Sequence, residues 1–418
     1  MAKLKLDHRL LGAAIGGVFA ISACQPATVV KTEITPTTGV FSAEDEAFYL
    51  RRYEALVEAF KSGRETATYD TEVTFGNDLV AKPLPRSEPK ELSDDVLKKL
   101  TEYAVQKKSK SFMVYENGAV VSENYYGDTT AKSLINSKSL AKPLGVVAVG
   151  RAIEAGFIES LDQSVADFII EWRGSEKANI TVRHLLDMRT GLLAQGNPSG
   201  PDDVLNRAYL HPRHDEVIIH EYPLVNPPGT RYDYSNVNSD LVSVLILRAT
   251  GMPYQDWLTQ QVLEPLGMAG GKVWLNREGG IAHAGCCFGL PSESYLKLAV
   301  LILQNGQWEG KPFLSEAFVK EIKTPTAQNK YTGMGLYVGK DYAEYRGAAN
   351  PDVKFGKTFH SEPYIDKDIV LFDGNGHQVA YILPSRKIVV MRLGNAPGKE
   401  NIWDNAHLPN LVSRDLDE

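Results

Sequence analysis

The chain has 418 residues, of which 43% are hydrophobic and 23% charged, with a formal net charge of −7 at pH 7. This composition excludes a disordered or fibrous chain, and the acidic balance leaves no basic footprint for nucleic acid. Three cysteines cannot build a disulfide framework, and no repeat of solenoid or propeller period is found.

The first element in chain order is an export signal. Lys3, Lys5, His8 and Arg9 form a basic n-region, and "LLGAAIGGVFAIS" is an apolar run too short to span a membrane as a helix. It ends in Ile21-Ser22-Ala23-Cys24, which resembles a bacterial lipobox. That resemblance implies a lipoprotein signal over residues 1–24, with Cys24 as the lipidated first residue of the mature chain. Gln25 in place of aspartate implies sorting to the outer membrane. The expected location is the periplasmic face of a bacterial membrane, held by lipid with no helix crossing it. Residues 25–42 are polar and unpatterned and read as a tether. From Ala43 to Phe60 apolar residues recur at helical spacing behind an acidic first turn, which predicts a helix packed on the main domain. Pro-rich "AKPLPRSEPKELS" marks a boundary near residue 90. Residues 25–90 are therefore read as tether and N-terminal helical extension, and 91–418 as the main domain.

In the main domain, "SFMVYENGAVVSENYYG" alternates and turns at Asn117-Gly118, a hairpin signal. Residues 139–157, "LDQSVADFIIEW", "ITVRHLLDMRTGL", "SNVNSDLVSVLILRATG" and "PYQDWLTQQVLEPLG" read as helices. His211 and His214 in "HPRH" read as a polar loop with no third metal ligand nearby. Cys286 and Cys287 read as two small buried residues in a strand, since a disulfide between neighbours is strained and uncommon. "IVLFDGNGHQVAYILP" and "KIVVMRLGN" are β-rich. Early and late strands sharing one antiparallel sheet, flanked by helices and joined to a helix-rich subdomain, give an α+β fold.

Three Ser-x-x-Lys tetrapeptides occur: Ser87–Lys90, Ser139–Lys142 and Ser294–Lys297. A serine hydroxyl needs a base within reach, and on a helix residues i and i+3 share a face. Burial lowers the lysine pKa so that the amine can take a proton. Ser87 lies in a Pro-rich stretch with nothing apolar to desolvate Lys90, and Lys297 is free to snorkel. Only Ser139 precedes an apolar helix, "LAKPLGVVAVG", that buries its lysine, with Pro143 tolerated in the first turn.

"GAVVSENYYGDTTAKSLINSKSLAKPLG", "ITVRHLLDMRTGL", "NPPGTRYDYSNVNSDLVSVLILRATG" and "VLEPLGM" follow in order. Together they resemble the serine β-lactamase-related hydrolases, a group that includes class C β-lactamases, D-Ala-D-Ala carboxypeptidases, β-lactamase-fold esterases and 6-aminohexanoate-dimer hydrolases. The resemblance runs from about residue 100 to 395. It implies that Tyr234 of Tyr234-Ser235-Asn236 shuttles the proton between Ser139 and the leaving group, and that Asn236 bonds Lys142 and the substrate. Tyr115-Glu116-Asn117 is a decoy in the hairpin turn.

The third family motif, Lys-Thr-Gly or Lys-Ser-Gly on a strand, is matched only by Lys61-Ser62-Gly63, ahead of the serine. Its expected strand instead reads Phe372-Asp373-Gly374-Asn375-Gly376-His377-Gln378, similar to the Gly-His-Gly-Gly-Gln form of esterase-like and amide-hydrolysing relatives. This register implies substrate or oxyanion contacts from Asn375, Gly376, His377 and Gln378, with the Gln378 backbone N–H joining that of Ser139. Without the lysine a carboxylate anchor is lost, and no class A-type deacylating glutamate can be placed. The expected activity is a lipid-anchored serine hydrolase cleaving a small ester or amide through an acyl-enzyme on Ser139, with no metal or cofactor. The alternatives are a β-lactamase or D-Ala-D-Ala carboxypeptidase, and a non-catalytic envelope binding protein on the same fold.

Overall fold

The protein is described from a computed structural model over residues 34–62, 70–347, 357–398 and 400–418. The residues read as a signal peptide, Cys24 and the first part of the segment read as a tether lie outside the described residues. Among the described residues no helix is long and apolar enough to cross a membrane.

A six-stranded antiparallel sheet forms the centre. Its strands are β1 (Ser109–Glu116), β2 (Ala119–Tyr125), β3 (Tyr337–Val338), β4 (Val370–Gly374), β5 (Gln378–Leu383) and β6 (Ile388–Gly394), in the order β2-β1-β6-β5-β4-β3. Asn117 and Gly118 both take positive φ in the β1–β2 turn, as an Asn-Gly hairpin requires. Every residue of β5 and β6 is buried, because both sheet faces are covered. Alternate residues divide between two cores: Val379, Tyr381 and Leu383 face one, while Ala380 and Ile382 face the other.

The first core lies under α2 (Asp94–Gln106) and α6 (His407–Asp417). The Ser93 cap of α2 is bonded by Asp415 of α6, which ties the two helices together. The second core carries α3 (Ala141–Glu154), α4 (Asn236–Thr250) and α5 (Ser292–Leu303). Ser235 caps α4 at its start, and Gly251, in the left-handed region at φ 72°, ends it.

The N-terminal helix α1 (Ala43–Lys61) starts in a Ser42–Asp45 capping box. The stretch beyond it is more than a tether. Strand Glu72–Phe75 pairs with Gly271–Trp274, which pairs with Phe288–Leu290, which pairs with Ile135–Asn136. The extension thus supplies the edge of a second sheet whose far strand leads into the Ser139 turn. Its cross-strand partner lies some 200 residues away, so local pattern could not reveal it.

Five other readings change. "LDQSVADFIIEW" is two short 3-10 turns, Val165–Asp167 and Ile170–Trp172, and "ITVRHLLDMRTGL" is helical only over Val182–Leu186. Lys297 does not snorkel. It is buried, with Nζ donating to the carbonyls of Lys82 (2.6 Å) and Gly267 (2.5 Å). His211 and His214 are fully buried rather than in a polar loop. Cys286 and Cys287 are joined in a disulfide, and they sit in the turn before strand Phe288–Leu290 rather than within it.

Candidate active site

Ser139 lies in a 3-10 turn, Lys138–Leu140, that runs directly into α3. The turn is held from both sides. Ser137 exchanges two hydrogen bonds with Phe288 of the second sheet, its N–H donating to the Phe288 carbonyl (2.6 Å) and its Oγ accepting the Phe288 N–H (3.2 Å). Asn136 Oδ1 accepts the N–H of Lys138 (2.9 Å), a residue in the left-handed region at φ 47°. Backbone strain thus sits next to the nucleophile, where many active sites store it.

Lys142, one turn on and buried, aims Nζ at three acceptors: Gly285 O (2.7 Å), Asn236 Oδ1 (2.8 Å) and Ser139 Oγ (3.3 Å). Burial pushes its pKa from 10.5 down to about 7, opposed by the nearby Asp240 carboxylate. Tyr234 Oη stands 2.5 Å from Ser139 Oγ, and the Tyr234 ring lies under the Lys142 ammonium at 4.6 Å. Burial raises the tyrosine pKa above its ordinary value, and the Ser139 hydrogen bond opposes it. Ser139, Lys142, Tyr234 and Asn236 therefore form one hydrogen-bonded constellation. The competing tetrapeptides form none: Lys90 is exposed, and Lys297 is spent on carbonyls. Decoy Glu116 is a clamp, its carboxylate accepting the N–H groups of Lys90, Glu91 and Leu92.

Ser139 and Tyr234 open into a cavity of about 700 Å³, lined on the β4–β5 side by Asp373, Gly374, Asn375, Gly376 and His377. Gly374 is the close neighbour of the nucleophile: a Cβ there would sit 3.3 Å from the Ser139 backbone nitrogen and 2.8 Å from Leu140 Cδ1. Asn375, Gly376 and His377 line this cavity, while the Gln378 side chain does not reach into it. Gln378 is the first residue of β5, paired with Gly374, and its side chain turns behind the wall to donate to Asn136 O (2.8 Å). That side chain holds the turn that carries Ser139. His377, at φ 58°, stacks on Trp403 with centroids 5.7 Å apart.

Sequence reasoning missed three supporting groups. Arg392 on β6 is fully buried and donates to the carbonyls of Gly376 (2.7 Å), His377 (3.1 Å), Asn395 (2.5 Å) and Lys107 (2.8 Å), so it fixes the β4–β5 turn. Asp373 is ion-paired with buried Arg346, whose guanidinium stacks on Tyr337 at 3.7 Å. Asp240, one turn after Asn236 on α4, accepts the Gly285 N–H (3.1 Å) and so orients the peptide whose carbonyl receives Lys142. The Asp240 position relative to Asn236, i+4 on one helix, was the only sequence signal for any of them.

His214, Asp240 and His283 bring one ligand atom each within 4.8 Å of one another. The two imidazoles stack nearly parallel, with centroids 4.1 Å apart and planes 15° from each other. Imidazole binds a metal along its in-plane lone pair, so rings in this arrangement cannot both point at a single ion. Burial holds both histidines well below their ordinary pKa, His283 at about 3.

The sheet order, the helices on both faces and the Ser-Lys-Tyr constellation define a β-lactamase/transpeptidase-like fold. The chain belongs to the β-lactamase family, whose sequence model matches residues 97–408. A Bacillus anthracis protein assigned as a 6-aminohexanoate-dimer hydrolase superposes with a TM-score of 0.60 at 16% identity, covering 83% of this chain and 89% of that one. EstCE1, a hydrolase with promiscuous acyltransferase activity, superposes at 0.56 and 15% identity, covering 77% and 98%. Among curated proteins, Protein flp of Staphylococcus aureus (strain NCTC 8325 / PS 47) is 21% identical over 174 residues, 38% of this chain. The aligned stretch spans only a third of the length of that relative.

Proposed function

We propose that this protein is a serine hydrolase that cleaves an ester or amide bond through an acyl-enzyme on Ser139. The observation that carries the reading is the position of Ser139 Oγ, 2.5 Å from Tyr234 Oη and 3.3 Å from a Lys142 amine whose pKa burial brings to about 7. A neutral amine takes the hydroxyl proton as Oγ attacks the substrate carbonyl. The resulting oxyanion is received by the Ser139 N–H and by the Gly374–Asn375 peptide that lies against it. As the tetrahedral adduct collapses, Tyr234 passes the proton to the leaving group, and water then releases the acyl group by the reverse sequence. The strand beside Ser139 carries Asp373, paired with Arg346, and its following turn Asn375-Gly376-His377 lacks the carboxylate-binding lysine of the third motif. This favours an ester or amide over a β-lactam or D-Ala-D-Ala peptide. Lipid attachment at Cys24 would hold the enzyme on the periplasmic face of a bacterial membrane, with outer-membrane sorting.

A fluorophosphonate probe is expected to label the wild-type protein on Ser139 and to leave Ser139→Ala unlabelled; equal labelling of both rejects the nucleophile. Labelling by fluorescent penicillin would reverse the substrate ranking. Cys24→Ser protein that remains on membranes would remove the anchor.

A further inference from the structure

We propose that the last two turns of α1, together with Tyr209 and the Cys286–Cys287 disulfide, form an apolar subsite that takes an aliphatic or aromatic group of the substrate. The inference rests on the serine hydrolase reading and extends it to substrate class.

Helix α1 lies outside the part of the chain that matches the family. It is nevertheless fixed firmly at its middle. Arg52, 2% exposed, makes a forked pair with Asp70 and donates to the carbonyls of Leu210 (3.0 Å) and Asn276 (2.8 Å). Glu46 is paired with Arg207 (2.9 Å), and the Tyr49 hydroxyl bonds to Pro201 O. The helical period carries the stripe through Tyr49, Arg52 and Tyr53 on to Leu56 and Phe60, and these last two residues line the same cavity as Ser139. Leu56 packs with Tyr209 and Cys286 against Tyr49, Leu210, Trp274 and Cys287. Cys286 directly follows Gly285, the residue whose carbonyl holds Lys142, so this wall reaches from the catalytic base to α1. Phe60 is 68% exposed. A large aromatic left open on the lip of a cavity is a surface that a ligand can cover. Much of the remaining lining is polar, with Lys138, Gln195, Asn197, Lys357, Asn375 and His377 among it, so the apolar stripe of α1 stands as one distinct wall of a cavity large enough for a small organic ligand.

Two ester series test the subsite: 4-nitrophenyl acylates from acetate to octanoate, and acetate esters of methanol to octanol. In the series whose chain meets the wall, kcat/KM should rise roughly fourfold for each buried methylene. Leu56→Ser with Phe60→Ser should lower the octyl-to-methyl ratio at least tenfold, while Arg52 and Tyr49 keep the helix docked. Leu50→Ser, on the exposed side of α1, should keep the wild-type ratio. A double variant with the wild-type ratio in both series, or a wild type indifferent to chain length, overturns the proposal. If no ester is turned over and the fluorophosphonate leaves Ser139 unlabelled, the hydrolase reading fails; in either case without ester turnover, calorimetry with octanoate judges the subsite separately. Binding to wild type that weakens at least tenfold in the double variant supports the subsite; no binding, or equal binding, rejects it.

Discussion

Lowering the pH from 9 to 6 should switch off acylation of Ser139 along a single-proton limb near pH 7. The fall of the Lys142 pKa from 10.5 to about 7 means that, relative to water, the fold shifts the balance toward the neutral amine by roughly 5 kcal/mol. Only the neutral amine accepts the serine proton, so the rate rises with pH. About half of the molecules are competent at pH 7, and about a tenth at pH 6. The groups facing the amine are few. Asp240 is the nearby carboxylate, itself raised to about 6 by burial, and His214 and His283 behind it are neutral. Asp240→Asn keeps an oxygen for the Gly285 N–H but removes the charge that supports the ammonium, so the limb should move to lower pH. The assay is the second-order rate of fluorophosphonate inactivation from pH 5 to 10, with mass spectrometry locating the adduct. A flat profile, a limb above pH 9, or an Asp240→Asn limb displaced upward would refute the argument. The same burial acts on stability. Between pH 7 and 10.5 the unfolded chain binds the extra proton, so the Lys142 contribution to stability rises with pH across that window.

Tyr234→Phe should fold normally, since the hydroxyl's partner is Ser139, and should slow acylation by about 10²–10⁴-fold, as read by burst kinetics. Arg392→Met strands the carbonyls of Gly376, His377 and Asn395. It should cost about 2–4 kcal/mol in urea unfolding and lower kcat/KM through the loosened β4–β5 turn. Arg52→Ala removes the contacts to Asp70, Leu210 and Asn276. Limited proteolysis should then cut within residues 43–62 under conditions where the wild type is intact, and unchanged resistance would show that α1 docks by other means.

What the residues determine by themselves is whatever depends on near neighbours. The Asn117-Gly118 turn needs two residues with positive φ, the Ser139–Lys142 pairing needs one helical turn and an apolar surround, and the α4 ends need Ser235 and Gly251. All are short-range, and the family resemblance added Tyr234 and Asn236, which the fold then brings within hydrogen-bond reach of Lys142 and Ser139. What only the tertiary structure decided involves partners far apart in sequence. Lys297 and the "HPRH" histidines look solvated until distant segments bury them. The Gln378 side chain finds its partner only across the fold, at Asn136, 242 positions away. The N-terminal extension reads as a tether and a packed helix, yet Arg52 and strand Glu72–Phe75 build it into the body and set Leu56 and Phe60 on the cavity wall. A hydrogen bond or an apolar contact acts over a few ångströms of space, and local pattern records only the part of that space which the chain fills with its own near neighbours.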